Sequence, residues 1–411
     1  MRIFVPRERE PGEHRVAATP ETVARFVKAG HEVQVEAGAG ARASFTDAAY
    51  TGVGATLADG DLAAAWRAAD VVVKVAPPGE AEGWHEAEAM REGALLIGFV
   101  KPDLRLGTVR TLRDRKVDVL AMELIPRITR AQSMDALSSQ GSVAGYKAAL
   151  IASTELDKYF PLLMTAAGTI QPARIVVMGA GVAGLQALAT CRRLGATVEV
   201  SDIREAVKEE VESLGGRFIE LPMKESGEGE GGYAREMGAD FLTKQRAIVA
   251  DRLATSDAAI CTALIPGRPA PTLITEDMVK RMRPGAVIVD LAVERGGNCE
   301  LSVLGETVER HGVTIVGHPN LPATVPADAS RLYARNVARL IEHMAGEGGS
   351  LTVDPEDEVV GGTLLIHGGK VVHSRTAEAL GDAPAPAPEA AAEQGQSDDA
   401  ATGGDAAAGE E

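Results

Sequence analysis

Through the first 125 residues, short apolar runs alternate with stretches whose apolar positions recur at helical spacing. Runs at Arg2–Val5, Glu32–Glu36, Asp70–Val75, Ala94–Val100 and Asp118–Met122 read as strands. Between the first two, Thr19 stands as a cap, Pro20 takes the first helical position, Val23, Phe26 and Val27 share a face, and Gly30 closes the helix. Residues Ser133 to about Tyr159 then read as one long helix. A second series follows, with strands expected near Arg174–Met178, Thr197–Asp202, Arg217–Leu221, Ala258–Leu264, Ala286–Leu291 and Thr314–Gly317. Strands alternating with helices predict parallel sheets covered on both faces. The expected fold is α/β: two doubly wound Rossmann-like domains joined by the long helix.

Ala327–Met344 is again helical, with Leu332, Val337, Leu340 and Ile341 on one side. Because the second series ends near Gly317, this helix is expected to return to the first domain. The predicted division is therefore residues 1–135 with 320–373 as a discontinuous first domain, and 136–319 as the second. Leu351–His373 reads as a small β excursion. From Thr376 to Glu411 the chain is mostly Ala, Pro, Gly and acid, too poor in apolar groups to offset its ordering entropy, and is read as a disordered tail.

Composition narrows the function. A chain of 411 residues is too long for one ordinary core, and 45% hydrophobic with 25% charged residues is globular usage. Aromatics at 3% argue against binding single strands by base stacking. Nine of the 59 acids and none of the 42 bases lie in the last 36 residues, so the body carries −8 of the net −17 and repels phosphate backbones and anionic lipid. Cys191, Cys261 and Cys299 are far apart, form no metal spacing and suggest no disulfide framework; no metal site is expected. With no signal-like start and no membrane-length apolar run, the expectation is a reduced, soluble, cytoplasmic protein with no nucleic-acid partner.

The chemistry starts at Arg174-Ile-Val-Val-Met178, which runs straight into Gly179-Ala-Gly181-Val182-Ala-Gly184 and a helical continuation to Leu194. This is G-x-G-x-x-G between a strand and a helix. Gly179 serves the tight turn, Gly181 lets backbone approach a pyrophosphate, and Gly184 permits close helix–strand packing. The helix start offers free N–H groups and a positive dipole end to phosphate. Asp202, at the end of the next strand, is placed to accept from ribose hydroxyls and to repel a 2′-phosphate, favouring NAD(H) over NADP(H). Arg204, two residues on, tempers that preference. The earlier Gly38-Ala-Gly40 lacks a third glycine and reads as a turn.

Further segments carry a family resemblance. Arg127-Ile-Thr-Arg-Ala-Gln132-Ser-Met-Asp135-Ala-Leu-Ser138-Ser resembles the nicotinamide-contacting loop of the NAD(H)-binding component of proton-translocating NAD(P)+ transhydrogenase. Gly231-Gly232-Tyr233-Ala-Arg-Glu-Met237, Thr262-Ala-Leu264-Ile-Pro-Gly-Arg-Pro-Ala-Pro271, Val289–Asn298 and Ala327–Ser330 resemble the same family, whose fold alanine dehydrogenases share. The resemblance implies that Arg127, Gln132, Asp135 and Ser138 hold the nicotinamide end, with Gln132 and Asp135 the catalytic pair. It also implies that Val182, Ile203, Arg204, Gly232, Tyr233 and Leu264 join the glycines and Asp202 around NAD(H). By themselves the loop residues equally suit an ordinary role: Asp135 or Ser133 as a helix cap, Arg127 as a solvated charge. The glycine-rich Glu225–Ala234 stretch is long enough to close over a cofactor with Tyr233 as its anchor, and alanine dehydrogenases are shorter there.

Oxidising an amino or hydroxy acid needs a base to take a proton as hydride leaves. Alanine dehydrogenases carry a histidine at a first-domain strand end; the matching Ala94–Pro102 has none, and Glu294 stands where their catalytic aspartate is expected. His14 and His318 read as surface or supporting residues. Arg15 and Lys74 resemble residues that hold a substrate carboxylate and keep an alanine dehydrogenase-like activity open as the alternative. Hydride passing directly between two nicotinamides needs no base, only orientation. With one dinucleotide fingerprint, a second nicotinamide nucleotide is expected on a partner, and with no span any coupling to the membrane is expected in partner chains. The resemblance implies that these are NADP-binding and membrane-spanning subunits that carry NADP(H) and proton movement, with this chain a homodimer peripheral on the inner membrane face. A catalytically silent NAD-binding protein is the third class.

Overall fold

The computed structural model describes residues 1–81, 83–221, 239–265, 267–346 and 350–382. The glycine-rich stretch with Gly232 and Tyr233, and the chain beyond residue 382, lie outside these.

Two sheets organise the described residues. Across the first, the strands run Lys370–Val371, Leu364–His367, Asp118–Ala121, Leu95–Gly98, Val71–Val73, Arg2–Val5, Glu32–Glu36, Thr56–Ala58. Six are parallel, and the Leu364–His367/Lys370–Val371 pair adds antiparallel beside Asp118–Ala121. Across the second, they run Arg217–Phe218, Thr197–Ser201, Arg174–Met178, Ala258–Cys261, Val287–Asp290, Val313–Val316, Thr307–Arg310, all parallel but the last. Central strands such as Val71–Val73, Ala258–Cys261 and Val287–Asp290 are buried at every position, as expected of strands covered on both faces.

In each sheet the strand order reverses beside the first strand: between Arg2–Val5 and Val71–Val73, and between Arg174–Met178 and Ala258–Cys261. Loops leaving the carboxyl ends on either side of such a point diverge to opposite faces and leave a crevice, where ligands of open α/β sheets bind. Glu8, Glu13, Arg15 and Lys74 follow the first sheet's switch strands; the glycine turn and Thr262 follow the second's.

The helix Ala136–Glu155 joins the two sheets, starting on a cap in which the Asp135 carboxylate accepts from the Ser138 N–H at 2.8 Å. It crosses the helix Val182–Arg193 so closely that a Cβ on Gly145 would lie 2.0 Å from the Ala183 carbonyl oxygen. The helix Pro326–Met344 returns to the first sheet, where Tyr333, Val337, Leu340 and Ile341 pack with Ile3, Val5 and Val73.

The chain departs from the sequence expectation at the margins. Thr56–Ala58 and Thr307–Arg310 are edge strands too short or too polar to show as apolar runs. Leu351–His373 is no separate excursion: it holds the helix Glu358–Thr363 and then extends the first sheet. The residues assigned to the start of the tail form a helix, Ser374–Leu380, with Thr376 and Ala377 buried, and Asp382 pairs with Arg113 at 2.6 Å. Alanine-rich composition concealed this helix, since one small apolar face suffices for so short an element.

Candidate functional site

The two switch points open onto one cleft of about 1190 Å3 between the sheets. On its second-sheet wall, Gly179 has φ +102°, a left-handed turn that disfavours any side chain, and the Thr262 hydroxyl lies 3.1 and 3.2 Å from the Met178 and Gly179 carbonyls. Gly181 caps Val182–Arg193 with open space where a Cβ would sit, so its backbone can be approached closely. A Cβ on Gly184 would lie 1.8 Å from the Gly179 oxygen. Each glycine therefore has the constraint its place in the motif requires.

Asp202 is more heavily engaged than the sequence suggested. Its Oδ2 accepts from the Ala180 N–H at 2.6 Å and Arg204 Nη2 at 2.8 Å; Oδ1 accepts from the Arg204 backbone N–H at 2.9 Å and Nε at 3.0 Å. Four donors fill a carboxylate's lone-pair positions, so a ribose hydroxyl must displace one of them. Arg204 is likewise engaged by Asp202, which corrects the picture of an arginine standing ready for a 2′-phosphate.

The first-sheet wall is built on charge. Arg15, 6% exposed, forks onto Glu13 at 2.8 and 2.6 Å and donates to Gln140 Oε1 at 2.8 Å and Asn320 Oδ1 at 2.9 Å. Burial pushes the Glu13 carboxyl up, but the Arg15 fork and the Asn320 amide outweigh it and hold Glu13 below the usual carboxylate range. Lys74, fully buried behind Val75 and Ala76, lies 3.1 Å from Glu8 and 3.0 Å from Glu86. Burial drives Glu8 up to about 7 against the pull of Lys74. The sign of the consequence is fixed: folded Glu8 binds its proton more tightly than the unfolded chain, so stability falls as pH rises from 4.5 to about 7. The shift is worth roughly 3 kcal/mol. Glu8→Gln should flatten that slope in urea unfolding across this range; curves that stay parallel to wild type would show that Glu8 does not take up the proton.

At the cleft mouth, ion pairs join the two sides. Lys101, at φ +48° and held by its N–H to half-buried Glu123, reaches Glu294 at 3.0 Å, and Arg295 pairs with Asp103 beside it. These salt bridges involve partly exposed side chains, so each contributes modestly to holding the sides together.

Of the residues singled out from sequence, the cleft wall includes Arg127, Ser138, Gly179, Gly181, Val182, Asp202, Ile203, Arg204 and Leu264. Gly184 lies behind the wall as a packing contact. Gln132 is exposed in the turn Thr129–Met134, between Arg127 and Ser138, and is not part of the wall. Asp135 is not part of it either: it caps the long helix and accepts the Ser138 hydroxyl at 2.6 Å, the ordinary role its sequence position allowed. Two histidines that the sequence did not assign to the cleft do line it. His318 bonds the Thr307 hydroxyl at 3.0 Å, and His373, whose imidazole burial pushes down, bonds Thr376 at 2.7 Å. Sequence also missed Ser201 and Gln245, buried in the second-sheet wall with Oγ and Oε1 lacking partners among the described residues. No local motif marks Gln245; only the fold brings its helix, Ala239–Leu253, to the cleft. Unmet polar atoms beside a glycine cradle suit a dinucleotide, which brings both phosphates and hydroxyls.

Two family models cover the chain: alanine dehydrogenase/PNT, N-terminal domain, at residues 4–144, and its C-terminal counterpart at 148–374. The chain belongs to the alanine dehydrogenase/PNT family. Within this family it is 52% identical to an NAD(P) transhydrogenase subunit alpha protein of Rhodospirillum rubrum, over 91% of this chain and 98% of that protein. The crystal structure of transhydrogenase from Sinorhizobium meliloti superposes with a TM-score of 0.80 at 45% identity, covering 90% of this chain and all of that one. Alanine dehydrogenase of Bacillus subtilis is more distant, 29% identical over 95% of this chain and 97% of that protein. The family boundary at 144–148 falls inside the long helix, so the family's two parts follow the chain, whereas the first sheet draws strands from both.

Proposed function

We propose that this chain is the NAD(H)-binding component of a proton-translocating transhydrogenase. Hydride passes between NAD(H) in the cleft and NADP(H) on a partner subunit, coupled to proton movement through membrane-spanning partners. The observation that carries this reading is the asymmetry of the cleft. One wall is a dinucleotide cradle; the other presents, where a small acid would need a receptive cation, an Arg15 already committed to Glu13, Gln140 and Asn320. Lys74, the second candidate for a carboxylate, is buried between two acids outside the cleft wall. The greater likeness to transhydrogenase alpha subunits than to alanine dehydrogenases supports the same choice.

When bound, NAD(H) supplies the hydride at C4 of its nicotinamide ring. The Val182–Arg193 helix start takes the pyrophosphate, with Gly179, Gly181, Val182 and Gly184 shaping the approach. Asp202, Ile203 and Arg204 hold the adenosine end, and Leu264 lines the same cleft; Gly232 and Tyr233 lie outside the described residues. Arg127 and Ser138 orient the nicotinamide from the cleft wall, Asp135 acts by holding the Ser138 hydroxyl, and Gln132 acts from the exposed turn between them. Because no proton moves on oxygen or nitrogen, these side chains act by fixing distance and angle. Leu104, Leu137, Val182 and Leu264 are exposed apolar side chains on the cleft wall, a surface suited to the NADP-binding partner. The hairpin Leu163–Thr165/Gly168–Ile170 pairs with neither sheet and presents Met164 at 76% exposure beside Leu162 and Ile170, which suits a homodimer contact. No helix among the described residues is long and apolar enough to cross a membrane, so attachment to the inner face would come through partners.

The test is transfer from NADH to an NADP+ analogue of shifted absorbance. The chain alone should give none; adding the NADP-binding partner should give transfer, and Gln132→Asn should slow it roughly 10- to 100-fold with NADH affinity little changed. Transfer by this chain alone, or NAD-dependent oxidation of L-alanine, would overturn the reading, the latter in favour of an alanine dehydrogenase-like enzyme.

A further inference from the structure

The turn that carries Gln132 is seated by buried Ala131 and Met134 and by the Arg130–Glu358 ion pair, whereas Gln132 and Ser133 are exposed. Its carbonyl at Ser133 is held by Asn336, 203 residues away on the helix Pro326–Met344, whose Nδ2 donates at 2.8 Å. Asn336 Oδ1 accepts from the Ser139 hydroxyl at 2.6 Å, the shorter of that hydroxyl's two acceptor contacts; the Ala136 carbonyl lies at 3.2 Å. Ser139 Oγ in turn accepts from Gln140 Nε2 at 3.2 Å, which also donates to the Ala329 carbonyl at 3.1 Å. Gln140 Oε1 takes the Arg15 Nη1 at 2.8 Å. Asn336 and Gln140 are both more than nine-tenths buried.

The direction of every bond in this chain is dictated from its ends. A guanidinium can only donate, so Gln140 must turn its oxygen to Arg15 and its NH2 to Ser139. A carbonyl can only accept, so Asn336 must turn its NH2 to Ser133 and its oxygen to Ser139. The Ser139 hydroxyl satisfies both demands at once, donating its proton to Asn336 Oδ1 and accepting from Gln140 Nε2. Asn336 is thus locked in one orientation, and through it the Ser133 carbonyl has one position.

We infer that Asn336 is a positioning residue: it sets the turn bearing Gln132 against the long helix without itself reaching the cleft wall. The inference rests on the reading that Gln132 orients the nicotinamide. Asn336→Asp keeps the shape but sets a carboxylate oxygen against the Ser133 carbonyl, acceptor facing acceptor, which loosens the turn at Ser133 beside Gln132. Ser139→Ala is the milder variant, removing the donor that orients Asn336 while leaving its bond to Ser133.

The experiment uses the full chain with its NADP-binding partner, measuring NADH Kd by fluorescence together with kcat and KM for transfer from NADH to the NADP+ analogue. For Asn336→Asp, kcat should fall roughly 10- to 100-fold while Kd stays within about threefold, since a misplaced near-attack geometry costs rate before affinity. Combined with Gln132→Asn, the double variant should be no slower than the slower single one, because both changes remove the same alignment. A purely structural role would lower the melting temperature but leave the two changes multiplicative. Should Asn336→Asp fail to fold, Ser139→Ala decides: a several-fold fall in kcat, absent from the Gln132→Asn background, supports the inference. Multiplicative rates, or kcat and Kd failing in parallel, overturn it. A Gln132→Asn protein with wild-type kcat overturns the reading beneath it, and is recognised by that single variant alone.

Discussion

Gly184→Ala should abolish NADH binding, because the new methyl would lie 1.8 Å from the Gly179 carbonyl oxygen and 3.1 Å from the Thr262 hydroxyl. Neither neighbour is the loose end of a flexible side chain: the first is backbone of the turn itself, the second is anchored to that turn. The helix must move off the strand, carrying its N-terminal N–H groups away from the pyrophosphate, and it is already pressed against Gly145 on the other side. We expect NADH affinity to drop at least about 100-fold and stability by about 1–3 kcal/mol, as for overpacked cores. Gly181→Ala is the informative control. Its Cβ enters open space and its φ is ordinary, so stability should hold while the methyl crowds the phosphate and weakens binding. Fluorescence titration and thermal melts on both variants check this pair. Wild-type affinity in Gly184→Ala would remove the cradle from the account.

Arg15→Met should be the most destabilising single change at the cleft. It leaves the Glu13 carboxylate, 2% exposed, with only the Asn320 amide and local backbone as donors, and strips the donor from Gln140 Oε1. Removing one partner of a buried ion pair costs about 3–5 kcal/mol. The pH dependence should change sign as well. In the wild type, Glu13 lies below its ordinary 4.5, so its contribution is present above that pH and is lost on acidification through the lower folded value. Without the guanidinium, burial alone acts and raises the carboxyl, so the variant should lose stability as pH rises above 4.5. Adding Glu13→Gln should recover much of the loss at neutral pH. Urea unfolding of the three proteins between about pH 4 and 8 checks this expectation. An Arg15→Met protein as stable as wild type would mean that the guanidinium is kept for a ligand and not for Glu13.

Much of the molecule could be read from sequence because the signals are local. Arg2–Val5 and Arg174–Met178 are strands with the bounds their apolar runs predicted, since a strand covered on both faces is apolar along its buried length, and Glu32–Glu36 was legible from the alternation of Val33 and Val35 with polar residues. The glycine turn was legible for the same reason: each glycine answers a steric demand set within six residues and the next strand. Edge strands such as Thr307–Arg310 were not legible, because a strand wet on one side and paired only on the other needs no apolar run. Ser374–Leu380 was hidden by composition, and its burial depends on a sheet edge assembled from distant strands.

The sequence by itself determined the two α/β units, the dinucleotide cradle and the types of charge available near it. Only the tertiary structure decided what those charges do. Asp202 and Arg204 could each be read as open to a ligand, yet the turn brings the Ala180 N–H and the guanidinium onto one carboxylate. Arg15 could be read as a substrate anchor, yet Gln140 and Asn320, 125 and 305 positions away, complete its hydrogen bonds. Asn336 carries no motif, and its tie to Ser133 exists because Pro326–Met344 folds back across the long helix. Periodicity and glycine spacing report interactions between near neighbours in the chain. A hydrogen bond's partner is set by where remote segments meet, and that is decided by packing the two sheets around one cleft.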